Sequence, residues 1–536
     1  MEINQMRTDP AVSEARRKLT WLLAAAVVVG ALTGNTFAYE GEPSRPLEDR
    51  WYVVQLRGQR AGYMRDRVDR AAGKITTRSE MVLKILREKS EVEMRFVSEF
   101  VETDANRPVS MRSEQRLGAN PDMATYTFLD DGVEVVRSGT TGEVREKKPR
   151  PEGAWLTPRQ VENAVRAALL AKDTKPIVVR TVDPLLGLDP TTVTHAIIDR
   201  KAIAGMGRDT PAIMWETTTD RFPGVKSVEF VDDSGNILQS ETDLGGIRLT
   251  VVRADRDLAL SRVEPPELLR STLITPNIPI DRPRTAVKAE YLVRSTGDVL
   301  PDLPTAGAQR STRRDVRSTL ISVDVYNPGV ATAAEIADQS YRIPSAMINS
   351  ADPEIIKLRD KAVGLVDPGA KPQTRAQAMR RAVAGWIARK DLDVGFASAS
   401  EVARTQRGDC SEHAVLLAAM LRADNIPSRV VSGLVYVPSA GAAGNGHFGY
   451  HMWTQALVDG DNGTQVWIDY DATMPASTQP GAVLNTHVPF DATHIALGIS
   501  ALADGATTTN DLVRLAPLIG TLSIEVENVD RSVLSR

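Results

Sequence analysis

From Trp51 to about Leu260 the apolar positions recur at every second residue. Val92, Met94 and Phe96 alternate with Glu93 and Arg95, the period of a half-buried strand. Runs at Thr125–Leu129 and Val133–Val136 flank Asp130, Asp131 and Gly132. Runs at Ser227–Val231 and Ile237–Gln239 flank a second Asp- and Gly-containing turn. Each pair reads as two strands joined by a tight turn. One helix interrupts, with Thr157 as its N-cap and Pro158 at the first helical position; Val161, Val165, Ala168 and Leu169 fall on one face. Residues 39–261 are therefore expected to form an antiparallel β-rich domain with a helix laid on it.

Residues 262–344 open with Pro265, Pro266, Pro276, Pro279 and Pro283 and continue into short strand-like runs, Ala289–Val293 and Leu320–Tyr326. They read as a linker followed by a small β segment. After Pro344 the period changes. A helix begins at Asp352-Pro353 with Ile355, Ile356 and Leu358, and a second runs from Gln373 to Lys390 with Met379, Val383 and Trp386. A third starts at Cys410, with Val415, Leu416, Ala419 and Met420 at helical spacing. Pro427 breaks the pattern, and three strands follow: Ser428–Tyr436, His451–Val458 and Gln465–Tyr470. Helices followed by an antiparallel sheet make residues 345–500 an α+β domain. Residues 501–536 read as a helix or strand extension.

Composition narrows the function classes. A chain of 536 residues with 42% hydrophobic and 25% charged residues is globular and spans several domains. The net charge of −4 leaves no basic excess for nucleic acid. At the N-terminus, Arg16, Arg17 and Lys18 precede an apolar run from Leu19 to Leu32, which ends in small residues up to Ala38. This is the pattern of a secretory signal peptide, with a membrane anchor as the alternative, so residues 1–38 are a leader and residues 19–38 a possible tether. The rest of the chain is then exported, to the periplasm or cell envelope. The single cysteine allows no intramolecular disulfide.

That cysteine, Cys410, stands where "RGDC" meets the apolar helix. The unpaired N–H groups and the positive dipole end of a helix favour an anion there, and a thiolate is one. A nucleophile needs a base and a group to orient it. His451 stands at the head of one expected strand, and Asp469 and Asp471 lie near the tail of the next, so an antiparallel pair brings them face to face. The two acids share a strand parity; Asp471 is nearer the end.

The segments "RGDCSEHAVLLAAMLRADNIPSRVVSGLVYV", "FGYHMWTQALV" and "VWIDYDATMP" resemble the bacterial transglutaminase-like superfamily, densely from about Ser345 to Pro475. The resemblance implies a papain-like core and a Cys-His-Asp triad. Cys410 would be the nucleophile, His451 the general base and acid, and Asp471, four residues after Trp467, the orienting acid. Two departures, Ala472 and Asp424-Asn425, touch local loop geometry only. The bland reading applies to most neighbours. His413 and Glu412 are helix packing or structural partners, Glu412 to an arginine such as Arg429, and His447 lies in a Gly-Ala loop spanning Ser439–Gly446. Trp453 and Trp467 are core or cleft-wall aromatics. A metal site from Cys410, His413 and His451 lacks the spacing such sites use. No cofactor is implied. One oxyanion donor is the Cys410 N–H; for the second, Gln406 and Tyr450 are candidates by position.

The function expected from these residues is exported thiol-dependent acyl transfer on an amide or peptide carbonyl, with a protein or peptide as substrate. Hydrolysis and transamidation use the same triad. The alternative is a cell-envelope binding or assembly protein that uses the β-rich domain and carries the triad domain as an inactive scaffold.

Overall fold

In a computed structural model the described residues are 46–87, 90–116, 121–139, 142–172, 175–205, 208–221, 225–243, 248–266, 273–297, 299–388, 397–439, 444–460, 463–474, 490–503, 518 and 520–531. Residues 1–38, expected as a leader or anchor with a tether at 19–38, lie outside them. Among the described residues no helix is long and apolar enough to cross a membrane. The architecture is mostly β and its sheets are antiparallel. The described residues fall into two compact units, 46–266 and 273–531.

The first unit is one sheet of fourteen strands. The chain lays down β1 (Glu48–Leu56), β2 (Gln59–Ala71), β3 (Lys74–Arg87), β4 (Ser90–Thr103), β5 (Pro108–Arg116), β6 (Pro121–Leu129), β7 (Gly132–Gly139) and β8 (Gly142–Lys148) as a meander. Helix α1 (Pro158–Leu170) follows, and then β9 (Ile177–Thr181), β10 (Thr191–Gly205), β11 (Arg208–Thr219), β12 (Lys226–Val231), β13 (Ile237–Asp243), β14 (Arg248–Ala254) and the short helix α2 (Arg256–Leu260). The second meander ends against the first, with Val53 opposite Val252 where β1 meets β14. Both hairpins expected from their Asp-Gly turns are present. Helix α1 starts after Thr157 with a capping box, and buries Val161, Val165 and Leu169 as its periodicity predicts.

This sheet also buries charge. Glu229 accepts from Trp215 Nε1 at 2.6 Å and from Thr217 Oγ1 at 2.9 Å, and Thr217 meets His195 Nδ1 at 2.9 Å. Burial pushes the Glu229 and Asp66 carboxyls up to about 7 and Asp183 up to about 6. It also pushes His195 down to about 4.

The second unit has two four-stranded sheets. One contains β15 (Ala286–Ser295), β16 (Gln309–Asp315) and β17 (Ser318–Asp324), in the order β16-β17-β15, completed beside β15 by the C-terminal strand β22 (Leu522–Arg531). After the short helix α3 (Ala333–Ala337) come α4 (Pro353–Val363), α5 (Pro372–Trp386), α6 (Ala399–Thr405) and α7 (Cys410–Ala423). The other sheet has the order β20-β19-β18-β21, from β18 (Ser428–Val437), β19 (His447–Asp459), β20 (Gln465–Tyr470) and β21 (His494–Ser500). Helix α7 is buried along nearly its whole length, and its apolar side chains share one core with Ile355, Met379, Val402, Met452 and Ala456. Two boundaries differ from the sequence reading. The helix expected to reach Lys390 ends at Trp386, with Ile387 already outside helical geometry. Strand β19 begins at His447, because His447–Tyr450 pair with Leu434–Val437, so His451 lies inside the strand and His447 belongs to it, not to a loop.

The raised carboxyls make the first unit's stability depend on pH. Folded Glu229 and Asp66 keep their protons to about pH 7, whereas unfolded they lose them near 4.5 and 3.8. Their contribution is full below those lower values and is lost as pH rises to about 7. His195 works the other way between 6.5 and about 4 and is outnumbered. The urea midpoint of the full chain's first unit should fall between about pH 5.5 and about pH 7.5, at up to about 1.4 kcal/mol per pH unit for each group. Glu229→Gln should flatten part of that slope, and an identical slope in the variant would contradict the assignment.

Candidate active site

The start of α7 is fixed by its own side chains. The Asp409 carboxylate accepts from Ser411 N at 3.1 Å, and Glu412 Oε2 accepts from Asp409 N at 2.9 Å, a capping box. Gly408 has φ +145°, and a Cβ there would sit 2.3 Å from the Glu412 Cβ, so only glycine fits. Cys410 is the first helical residue and is 2% exposed. The expected link between Glu412 and Arg429 is not formed. Glu412 Oε1 instead accepts from Ala397 N at 3.0 Å, because the capping box turns its carboxylate back over the helix start. Arg429 lies on the sheet and bonds Gln455 and Glu335.

Two hydrogen bonds set the register of α7 on the sheet. Ser428 Oγ donates to Ala418 O at 2.8 Å, and Ser428 pairs with Ala456; Thr454 Oγ1 donates to Ala414 O at 2.9 Å. Four helical residues, about 6 Å, thus match two strand residues, about 7 Å. Cys410, one turn nearer the start of α7, belongs to the same core as Met452. Met452, Thr454 and Ala456 of β19 meet the helix layer. Trp453 and Gln455 turn to the other face and bond Asp469 at the end of β20, and His451 bonds Asp471 just beyond it.

On that face the acids divide their work. Asp471, following β20, accepts from His451 Nε2 at 2.8 Å through Oδ2, while its Oδ1 accepts from Thr473 N at 2.8 Å and Thr473 Oγ1 at 2.6 Å. Both His451 and Asp471 are wholly buried. Burial alone would raise the Asp471 carboxyl. The rings of His451 and His494 outweigh it and hold Asp471 well below the usual carboxylate range. Asp469 is a structural bracket. Its Oδ1 accepts from Trp453 Nε1 and Gln455 Nε2, both at 2.7 Å, and its Oδ2 from Ala308 N at 2.9 Å. Trp453 in turn stacks on His451, with centroids 6.1 Å apart. Trp467 is core, covered by the Arg429 guanidinium at 3.9 Å from its ring centre.

The structure joins His451 to Asp471 directly, and Cys410 heads the helix that Thr454, on the same strand as His451, ties to the sheet. β20 pairs only with Thr454–Asp459, so the edge of β19 beside His451 carries no β20 partner. Of the two oxyanion candidates, Tyr450 donates its hydroxyl to Leu518 O at 3.0 Å, and Gln406 is an exposed residue that ends α6 in left-handed geometry. His413 is buried against Asp409 O, a packing role. Sequence reasoning missed His494, whose Nε2 lies 3.4 Å from Asp471 Oδ2. The available signal was Asp491 three residues before it in a chain of six histidines. The donor atoms of His451, Asp471 and His494 lie within 4.8 Å of one another, near enough for a cation, but they already form a hydrogen-bonded chain through the carboxylate.

Removing the bracket should be expensive. Asp469→Ala strands the buried donors of Trp453, Gln455 and Ala308, and the urea midpoint should report a loss on the order of 3 kcal/mol or more. A variant as stable as the parent would refute the bracketing role.

Residues 359–472 match the family model of the transglutaminase-like superfamily. Three solved structures show partial similarity. A β-barrel-like protein of a domain of unknown function from Brucella abortus is 12% identical, with 39% of this chain and 95% of that one covered and a TM-score of 0.30. A structure from Cytophaga hutchinsonii, described as a candidate cysteine protease, is 14% identical over 45% of this chain and 86% of that one, with a TM-score of 0.24. A candidate protease from Parabacteroides distasonis is 12% identical over 69% of each chain, with a TM-score of 0.16. No curated protein matches. The chain carries a transglutaminase-like domain over residues 359–472.

Proposed function

We propose that this protein is an exported thiol-dependent acyl-transfer enzyme, with residues 345–500 as its papain-like catalytic domain and Cys410, His451 and Asp471 as its triad. The observation that carries the reading is the buried 2.8 Å bond between His451 Nε2 and Asp471 Oδ2, on the sheet against which α7, headed by Cys410, is packed. An ionised Asp471 takes the Nε2–H, so the proton exchanged with Cys410 passes through Nδ1. The reading requires the Cys410 thiol and the His451 ring to meet when substrate binds, since catalytic hydrogen bonds often form only in the loaded site.

In the reaction, Cys410 Sγ attacks the carbonyl carbon of an amide while His451 Nδ1 takes the thiol proton. The carbonyl oxygen gains negative charge beside the Cys410 N–H, one of the first-turn donors that no helical carbonyl takes. Collapse breaks the C–N bond, and His451 returns the proton to the leaving amine. The thioester is then resolved by water or by a primary amine, with His451 as base. Protein or peptide is the substrate class that offers such amides.

The burial of all three side chains favours a second reading, an envelope binding or assembly protein with an inactive scaffold. Reactivity separates the two. In the enzyme, iodoacetamide labels Cys410 faster at neutral pH than a peptide thiol, and His451→Ala abolishes the excess. On a panel of amide and peptide substrates, with and without added primary amine, Cys410→Ala removes turnover and Asp471→Asn lowers it by roughly 10²–10⁴-fold. Labelling indifferent to His451, together with turnover indifferent to Cys410, would leave only the scaffold.

A further inference from the structure

We propose that His494 is a positioning residue, a standing imidazolium braced by Asp491, which shares the Asp471 carboxylate with His451 and sets how much of its charge the base feels. This rests on reading Cys410, His451 and Asp471 as the triad.

The argument is one of donors and acceptors. His494 Nδ1 lies 3.0 Å from the backbone O of Asp491 and 3.4 Å from Asp491 Oδ1. Its Nε2 lies 3.4 Å from Asp471 Oδ2. Carbonyl and carboxylate oxygens only accept. A neutral imidazole carries one N–H, so one ring nitrogen would turn a lone pair onto oxygen lone pairs. Only the doubly protonated ring donates on both sides.

The surroundings suit a cation. The Phe490 and His494 ring centroids are 4.2 Å apart, within reach of a cation–π attraction, and the Trp453 ring stands at 77° to His494 with centroids 5.3 Å apart. The charged and titratable groups around it are Asp471 after β20, Asp469 within β20, His451 on β19, and Asp491 on its own segment with Arg284 at 2.7 Å behind. Burial alone would lower the His494 ring. Asp491 and Asp471 together outweigh that and hold it above its ordinary value. The two carboxylates Asp471 and Asp491 are then balanced by His494 and Arg284 while His451 is neutral. When His451 takes the thiol proton, it meets a carboxylate whose charge is already partly answered. Its imidazolium is less stabilised than in an isolated pair, and it gives its proton to the leaving amine more readily.

The test reads the ring itself. In the full chain labelled with ¹⁵N-histidine, both nitrogens of His494 should be protonated at pH 7, where an ordinary imidazole is mostly neutral. His494→Gln keeps an N–H toward Asp471 but no charge, so the limb of kcat/KM on which His451 loses its proton should move up by about one pH unit. A neutral His494 ring at pH 7 would overturn the proposal, whatever the activity. So would an unmoved acidic limb in a variant that melts cooperatively, or a metal-bound nitrogen signal that a chelator reverses. Full activity in Cys410→Ala would instead sink the triad reading, and the ¹⁵N signals would still report the state of His494.

Discussion

Two buried carboxylates govern the sheet β20-β19-β18-β21. Asp469 and Asp471 follow one another on the same face at the end of β20, and both are buried. A carboxylate in that position is tolerable only if each oxygen is met by donors. Asp469 is met by an indole, a side-chain amide and a backbone N–H, and Asp471 by a threonine and two imidazoles. That requirement decides which side chains stand on this face. Trp453 and Gln455 are held in place by one acid and His451 and His494 by the next, so the structural need and the chemical arrangement share one origin.

The opposite layer answers a different constraint. A helix buried on nearly every side must place its polar end without loss, and α7 does so through Gly408, Asp409 and Glu412. The cap satisfies first-turn donors and fixes where Cys410 stands. Farther along, Thr454 and Ser428 tie the helix to the strands at intervals that keep it in register. The thiol is therefore located by the cap at one end and by two hydroxyl–carbonyl bonds along the shaft.

The period-two runs of the first unit were legible because one face of each strand is buried and turn residues mark the ends, as at Asp130–Gly132. The helices around Thr157, Pro353 and Cys410 were legible from caps and spacing. The pairing of His451 with an acid across β19 and β20 followed from strand order. The limits were equally physical. The start of β19 is hidden because the whole strand is buried and alternation vanishes there. The long-range closures, β14 on β1 and β22 on β15, leave no local trace. Glu412 illustrates a near miss: its type pointed to an ion pair, whereas its place three residues after Asp409 made it half of a capping box.

His494 was invisible for the same reason that it is well held. It depends on the sheet formed from the proline-rich stretch and the chain's end, far from the segments that carry Cys410 and Asp471. Arg284 binds Asp491 just ahead of β15, Ala492 N donates to Ala286 O at 2.9 Å, and Tyr291 Oη donates to Ala492 O at 3.0 Å. The β15 strand thus grips the segment 490–494 along its backbone, and that grip presents Asp491 and His494 to the rear of Asp471. The small sheet is consequently part of the electrostatics of the candidate site. A segment that looks like a spacer in sequence supplies the backing against which the acid is set.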